Sequence, residues 1–252
     1  MLLKKTNLFS RLSAPILCAL SLALEAGVPA SSPRVWVWAW DRPEDLRFLK
    51  PEEAGVAFFV LGIQVGPGTV AVRPRTAPLR LPEGMHRIAV VRLEASGAGV
   101  PERRMTEILA AIRTYALVPG IEGLQIDFDA SLSQRPFYRQ LIDRLLKPGE
   151  IQVPLTITAL ASWCMGDPWI RDLPVSGAVG MFFQMGRDTP EALAWLRKHR
   201  PVTGVRPGAL AWGLATDQPL PVAPPPEARV FLFHPRSWTP DAFSSALRRV
   251  TP

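Results

Sequence analysis

The sequence is poor in the residues that mark several common classes of protein. It contains two cysteines and three histidines in 252 residues. Cys18 lies in the N-terminal segment and Cys164 is the only cysteine after it, which excludes a disulfide framework in the rest of the chain. Sparse histidine and the lack of a spaced ligand motif argue against a metal centre. The formal net charge is +7, but no basic run accompanies it, so nucleic-acid binding is not predicted.

Glycine is missing where a nucleotide cofactor would need it. The first apolar run and the segment after it, "VWVWAWDRPED", contain no glycine. Dinucleotide-binding folds place a glycine-rich loop at this point, because the backbone must approach the pyrophosphate closely. We therefore predict no cofactor.

The N-terminal 30 residues have the layout of a secretory signal. Basic residues, among them Lys4 and Arg11, accompany the apolar stretch Pro15–Leu24, and small residues surround Ala30. The apolar stretch is too short to cross a bilayer comfortably. Residues 1–30 are therefore predicted to be a signal peptide, or an N-terminal anchor if it is not cleaved. The protein is expected to be exported, periplasmic or secreted, with membrane contact only through an uncleaved leader.

Residues 33–252 alternate between short β-branched or aromatic runs and polar or helical connections. Strands that alternate with helices predict a parallel sheet, and about eight units predict a closed (β/α)₈ barrel of the α/β class. An open doubly wound sheet is the second possibility. A single domain is expected after the leader. The predicted strands lie in residues 35–40, 56–65, 86–94, 120–131, 151–163, 177–186, 208–216 and 228–238.

The connections differ in their patterns. The segment "RPEDLRFL" (42–49) is interpreted as a short helix, and the proline-rich segment 66–82 as an excursion or hairpin. Apolar residues at helical spacing predict further helices. These lie in residues 101–117, 135–146, 189–199 and 239–250.

The segment "GLQIDFDAS" carries two aspartates at the end of the fourth run. Gln125, Asp127 and Asp129 alternate in the sequence, so they share one face of a strand. The apolar residues between them are expected to face the helices. In barrels of this kind, functional residues lie at the carboxyl ends of the strands. We therefore expect the aspartates at the barrel mouth, although capping of the barrel end would also explain them.

Other strand ends are expected at the same mouth. Arg92 and Glu94 end the third run, and Glu94 is a candidate second carboxylate; a plain structural ion pair is the alternative. The chain has eight tryptophans and two tyrosines, and indole faces beside carboxylates suit a sugar ring. The further candidate substrate-binding residues are Trp40, Trp163, Gln184, Trp212 and Trp238.

Several of these residues also have structural interpretations. Trp36 and Trp38 alternate along the first strand and are expected to be core, and the other tryptophans can equally be core. Cys164 beside a tryptophan is expected to be a buried hydrophobic residue rather than a nucleophile. His234 is expected to be a hydrogen-bonded structural residue.

The fourth run resembles the strand signature of family 18 glycoside hydrolases, the chitinase-like barrels, which reads D-G-x-D-x-D-x-E. Gly123 and Asp127 match that motif. Glu122, Gln125 and Asp129 occupy the positions of its first Asp, its middle Asp and its catalytic Glu. The resemblance implies a glycosidase-like barrel in which Asp129 protonates the leaving oxygen and Asp127 orients or tunes it.

Two further stretches extend the resemblance. "MFFQ" is similar to the M-x-Y-D motif of the sixth strand, with Phe183 for Tyr and Gln184 for Asp, and Trp238 stands where the family keeps a sugar-stacking tryptophan. "VWVWAWDRPEDLRFL" with "QIDFDAS" and "TALASW" resembles more closely an uncharacterised bacterial family with a glycoside-hydrolase-like TIM barrel. That resemblance implies a fold but no established activity.

Three functions remain open at this point. The first is an exported glycoside hydrolase of an envelope polysaccharide or glycan, with Asp129 as general acid and Glu94 or Asp127 as its partner. The second is a non-catalytic carbohydrate-binding or envelope interaction protein on a degenerate barrel. The third, a metal-dependent hydrolase built on Asp127, Asp129 and His234, has the least support.

Overall fold

The computed structural model describes most of the chain after the N-terminal segment. The leader predicted for residues 1–30 lies outside the described residues. Within the described ranges, none of the helices combines the length and apolar character that a membrane span requires. The described residues are 32–97, 100–167, 169–186, 189–198, 210–220 and 222–251.

Eight parallel strands form a closed barrel, as the sequence predicts. The barrel order is β1, β3, β6, β7, β8, β9, β10 and β11, and β1 pairs in parallel with both β3 and β11. This pairing on both sides of β1 closes the sheet, so the alternative of an open doubly wound sheet is wrong. The barrel strands are β1 (Val35–Ala39), β3 (Ala54–Val65), β6 (Arg87–Ala95), β7 (Gly123–Asp127), β8 (Leu155–Leu160), β9 (Gly177–Met181), β10 (Leu210–Ala215) and β11 (Val230–Phe233).

Helices cover the outside of the barrel, but not after every strand. In the described part of the chain, helices follow β6, β7, β8, β9 and β11, whereas β1, β3 and β10 lead into loops or short strands. The fold is therefore an α/β, TIM-like barrel with an incomplete helical ring. The helices are α1 (Glu102–Tyr115), α2 (Arg135–Leu145), α3 (Ala161–Met165), α4 (Thr189–Lys198) and α5 (Pro240–Val250).

The lower part of the barrel interior is filled with aromatic side chains. Trp36 and Trp38 are fully buried there, which confirms that they are core residues. The ring centroids of Trp36 and Phe231 lie 5.8 Å apart, and those of Trp38 and Phe233 lie 4.6 Å apart. Among the described residues, this part of the interior is thus packed rather than hollow.

The segment after β1 is not the predicted helix. Glu44–Asp45 forms a two-residue strand, β2, that pairs with β5 (Leu79–Arg80). The Leu46 side chain is buried, and its amide donates to the carbonyl of Arg80. Pairing with a distant segment therefore overrides the local helical preference.

A hairpin extends the sheet beyond the barrel, as the proline-rich segment predicts. Strand β4 (Val70–Pro74) pairs antiparallel with the second half of β3. β3 has twelve residues and continues to Val65 in register with β6, past the end of its other neighbour β1 at Ala39, and it carries β4 with it. The hairpin therefore stands beside the opening formed by the carboxyl ends of the strands.

Close packing inside the barrel gives a prediction for Gly55. A Cβ atom at this position would lie 2.6 Å from the Cε3 atom of Trp36, whose ring has no room to move. We expect Gly55→Ala to lower the free energy of unfolding by about 1–3 kcal/mol, since overpacking strains a filled core. Chemical denaturation measures the change. Gly68→Ala is the control because nothing lies within 4 Å of its Cβ position; equal stability of the two variants would contradict the packed interior.

Candidate functional site

A cavity of about 490 Å³ opens at the carboxyl ends of the barrel strands. Its lining includes the last residues of four strands, namely Asp127 of β7, Leu160 of β8, Met181 of β9 and Phe233 of β11. This is the end of the barrel at which the sequence predicts a site. The remaining lining residues are Trp40, Arg92, Asp129, Ala161, Ser162, Phe183, Gln184 and Met185.

Asp127 lies at the floor of this cavity in a nearly closed environment. Asp127 is 1% exposed to solvent. The Nη1 atom of Arg92 donates to its Oδ2 at 2.8 Å, and the hydroxyl of Thr158 donates to its Oδ1 at 2.8 Å. Both carboxylate oxygens are therefore bonded, which a buried charge requires.

Asp129 lies higher in the cavity and faces solvent. Its side chain is 42% exposed, and its Oδ2 accepts from the Nη2 atom of Arg92 at 3.2 Å. One guanidinium thus joins both aspartates. Two neighbouring carboxylates would repel each other, and the positive charge between them offsets that repulsion.

Burial raises the pKa of Asp127 above its usual range. Arg92 and Thr158 act in the opposite direction because they stabilise the carboxylate, whereas the charge of Asp129 adds to the increase. The two aspartates therefore differ in environment: Asp127 is desolvated, and Asp129 is open to a ligand. Such a difference is common between the two carboxylates of an acid–base site.

The opposite wall of the cavity is apolar. Trp40, Phe183 and Phe233 line it, with ring centroids 4.8 Å apart for Phe183 and Phe233 and 6.5 Å apart for Trp40 and Phe233. The cavity therefore presents charged groups on one side and aromatic faces on the other. A ligand with both polar groups and an apolar face suits this arrangement.

Gln184 has an unusual backbone at the rim. Its φ angle is 50°, in the left-handed region that non-glycine residues seldom adopt. The backbone N–H of Gln184 donates to the side-chain Oε1 atom of Gln218 at 3.1 Å. Strained residues of this kind cluster at functional sites, and Gln184 lines the cavity, as expected.

Glu94 does not line the main cavity. Its Oε1 atom is 3.8 Å from the Nε atom of Arg92, and its Oε2 accepts from the Nε2 atom of Gln64 at 3.2 Å. It lines a smaller cavity of about 220 Å³ that also includes Arg92. Arg92 therefore separates the two cavities, with Glu94 on one side and the aspartates on the other.

Three of the four predicted tryptophan platforms are not at the opening. Trp163 is 2% exposed, because the chain leaves β8 at Leu160 and enters helix α3. A helix turns successive side chains by about 100°, so Ser162 lines the cavity while Trp163 packs edge-on against Trp169, with centroids 5.0 Å apart.

Trp212 and Trp238 are also buried, at 2% and 4% exposure. Trp212 lies within β10 rather than at its end and packs on the outside of the barrel against Phe182. The indole nitrogen of Trp238 donates to the carbonyl of Trp38, and its backbone amide donates to Glu44. Of the four predicted platforms, only Trp40 therefore joins the aspartates.

Gln125 lies below the cavity, inside the barrel. It is fully buried, and its Nε2 atom donates to the hydroxyl of Thr156 at 3.2 Å. Among the described residues, its Oε1 atom and the indole nitrogen of Trp38 are buried without a hydrogen-bond partner. Gln125 shares the inward face of β7 with Asp127, as predicted, but it does not line the opening.

Several site residues were missing from the sequence analysis. Thr158, Met181 and Phe233 either line the cavity or bond to Asp127. Thr158 alternates with Thr156 along β8, so strand periodicity carried a signal for an inward hydroxyl. The apolar residues gave no such signal, because they look like ordinary core.

His234 is separate from the aspartates. Its Nδ1 atom is 2.6 Å from the hydroxyl of Thr216, and its ring packs against Trp238 with centroids 4.9 Å apart. Burial lowers the pKa of His234. In the described part of the chain, no three His, Cys, Asp or Glu side chains are grouped so that they would hold a metal ion.

No protein-family model, curated protein or solved structure shows significant similarity to this chain. The resemblance to glycoside-hydrolase barrels therefore stays a hypothesis from the sequence motifs. The fold and the cavity are the observations on which a function can be argued.

Burial of Asp127 gives a prediction for the pH dependence of stability. Because its pKa is raised in the folded protein, the native state holds this proton to higher pH than the unfolded chain does. The Asp127 contribution to stability is therefore present below the ordinary Asp pKa of about 3.9 and is lost as the pH rises through the native pKa. We expect the stability of the wild type relative to Asp127→Asn to fall as the pH rises from about 4. Denaturation across pH measures it; a relative stability that increases over this range would contradict the dominance of burial.

Cys164 is expected to be unreactive in the folded protein. The thiol is 1% exposed, and burial raises its pKa to about 12. The thiolate is the reactive form, so we expect labelling by an aromatic disulfide at pH 8 only after unfolding. The measurement uses a Cys18→Ser variant, because Cys18 lies outside the described residues. Rapid labelling under native conditions would contradict this assignment.

Proposed function

We propose that this protein is an exported, glycoside-hydrolase-like barrel that processes a polysaccharide or glycan of the bacterial envelope. The observation that supports it is the cavity of about 490 Å³ at the carboxyl ends of the strands, which Asp127, Asp129 and Trp40 line together. Aromatic faces bind the apolar side of a sugar ring, and carboxylates bind its hydroxyls or protonate its glycosidic oxygen. Residues 1–30 would direct export.

Asp129 is the proposed general acid. It is the more exposed of the two aspartates, so it has access to a glycosidic oxygen in the cavity. Asp127 orients the site, because its buried carboxylate holds the guanidinium of Arg92 that also contacts Asp129. Glu94 lines the smaller cavity on the other side of Arg92, so it is the candidate second carboxylate for a glycosidic bond that lies over Arg92. Hydrolysis at two carboxylates needs one as acid and the other as base or nucleophile.

The second candidate is a carbohydrate-binding barrel without turnover. The observation in its favour is the burial of Asp127, which leaves one of the two carboxylates little surface for chemistry with a ligand. On this alternative, Trp40 supplies the sugar platform, and Asp129 with Arg92 supplies hydrogen bonds.

Substitution of Asp129 tests the catalytic proposal. Release of reducing ends from peptidoglycan and from N-acetylglucosamine oligomers is measured for the wild type and for Asp129→Asn. We expect a loss of roughly 10²–10⁴-fold, which is the usual contribution of a general acid. Asp143→Asn, on the exposed side of α2, is the matched control and keeps full activity. Equal activity of wild type and Asp129→Asn would exclude the assigned role.

The same variants separate the two candidates. Saturable binding without turnover, retained in Asp129→Asn and lost in Trp40→Ala, would identify a binding protein. Turnover that is lost in Asp129→Asn while binding persists would identify an enzyme.

A further inference from the structure

A polar surface lies beside the main cavity, on the projecting ends of β3 and β6. The strand register places Gly62 beside Arg92 and Gln64 beside Glu94. On the other side of β3, the hairpin strand β4 places Arg73 beside Gly62 and Ala71 beside Gln64. Side chains of paired residues share one face of a sheet. We call this surface the shelf, and its residues are Gly62, Gln64, Ala71, Arg73, Arg92 and Glu94.

The shelf is continuous with the main cavity. Arg92 pairs in register with Asp127 of β7, so one row runs across four neighbouring strands from Arg73 through Gly62 and Arg92 to Asp127. With neighbouring strands about 4.8 Å apart, this row spans about 14 Å, which is longer than a single sugar ring. Arg92 also lines both the main cavity and the smaller one. A ligand that leaves the main cavity past Arg92 therefore arrives on the shelf.

The shelf contains a trough because Gly62 has no side chain. A Cβ atom there would lie 3.3 Å from the Cζ atom of Phe59, so a larger residue at this position would crowd the Phe59 ring. Arg73 bounds the trough on the side away from Arg92. The Arg73 guanidinium is held by an ion pair with Asp41 and lies 5.1 Å from the centroid of Phe59. The resulting cavity has a volume of about 220 Å³.

The polar groups along the trough suit hydroxyls. Gln64 and Glu94 are exposed and are bonded to each other at 3.2 Å. Together with the two arginines they provide donors and acceptors. Among the described residues, those that line the trough include no aromatic side chain, although the ring of Phe59 lies close to Gly62.

We propose that the shelf binds the further units of a linear glycan whose neighbouring disaccharide occupies the main cavity of about 490 Å³. The ligand is then a linear polysaccharide rather than a mono- or disaccharide. This inference rests on the proposed function, because it assumes that the main cavity holds a sugar.

Chain-length dependence of affinity tests the inference. Calorimetry measures binding of β-1,4-linked N-acetylglucosamine and glucose oligomers, from disaccharide to hexasaccharide. We expect the wild type to bind the hexasaccharide roughly tenfold more tightly than the disaccharide, as two or three added hydrogen bonds would give. Ala71→Trp fills the trough from the exposed hairpin strand and should remove this gain without changing the disaccharide affinity. Gln64→Ala should reduce the gain.

Thr69→Trp is the control, because it adds the same bulk to the hairpin at an exposed residue outside the smaller cavity. Wild-type affinity that does not change with length, or a length gain that Ala71→Trp retains, would overturn the inference and leave the proposed function in place. Absence of binding to every oligomer would overturn both.

Discussion

Closure of the sheet at β1 is the constraint on which the rest of the structure depends. β1 pairs with β3 on one side and with β11 on the other, so half of the strand side chains must fit inside a narrow barrel. Trp36, Trp38 and Phe231 fill the lower interior. Both carboxylate oxygens of the inward-facing Asp127 accept hydrogen bonds, whereas the inward-facing Gln125 is bonded through its Nε2 atom and its Oε1 atom has no partner among the described residues. The main cavity lies at the opening, above these packed rings.

Arg92 organises the charge at this opening. Its guanidinium contacts Asp127 and Asp129 directly and lies near Glu94. A carboxylate as buried as Asp127 would be costly without a partner, and Thr158 supplies the second one. The same arginine lines both cavities, so the residue that stabilises the buried carboxylate also forms the boundary between them.

Strand periodicity was the informative signal. It predicted the eight barrel strands and the inward direction of Gln125 and Asp127, and it placed Leu124 and Ile126 in the outer layer, where the structure has them. Local propensity was less informative. The segment 42–49 forms β2 and a turn, because Glu44 accepts from the backbone amide of Trp238 and the backbone amide of Leu46 donates to the carbonyl of Arg80. No local sequence pattern indicates these contacts.

The sequence by itself determined the class of fold and the pair of aspartates at a strand end, because alternation along a strand is a local property. Only the tertiary structure decided which aromatic residues meet that pair. Trp40 lines the cavity, whereas Trp163 is buried on α3. Trp238 is also buried, and its indole nitrogen donates to the carbonyl of Trp38. Tryptophan serves equally as core and as platform, so its role depends on helix phase and on contacts between residues far apart in the chain.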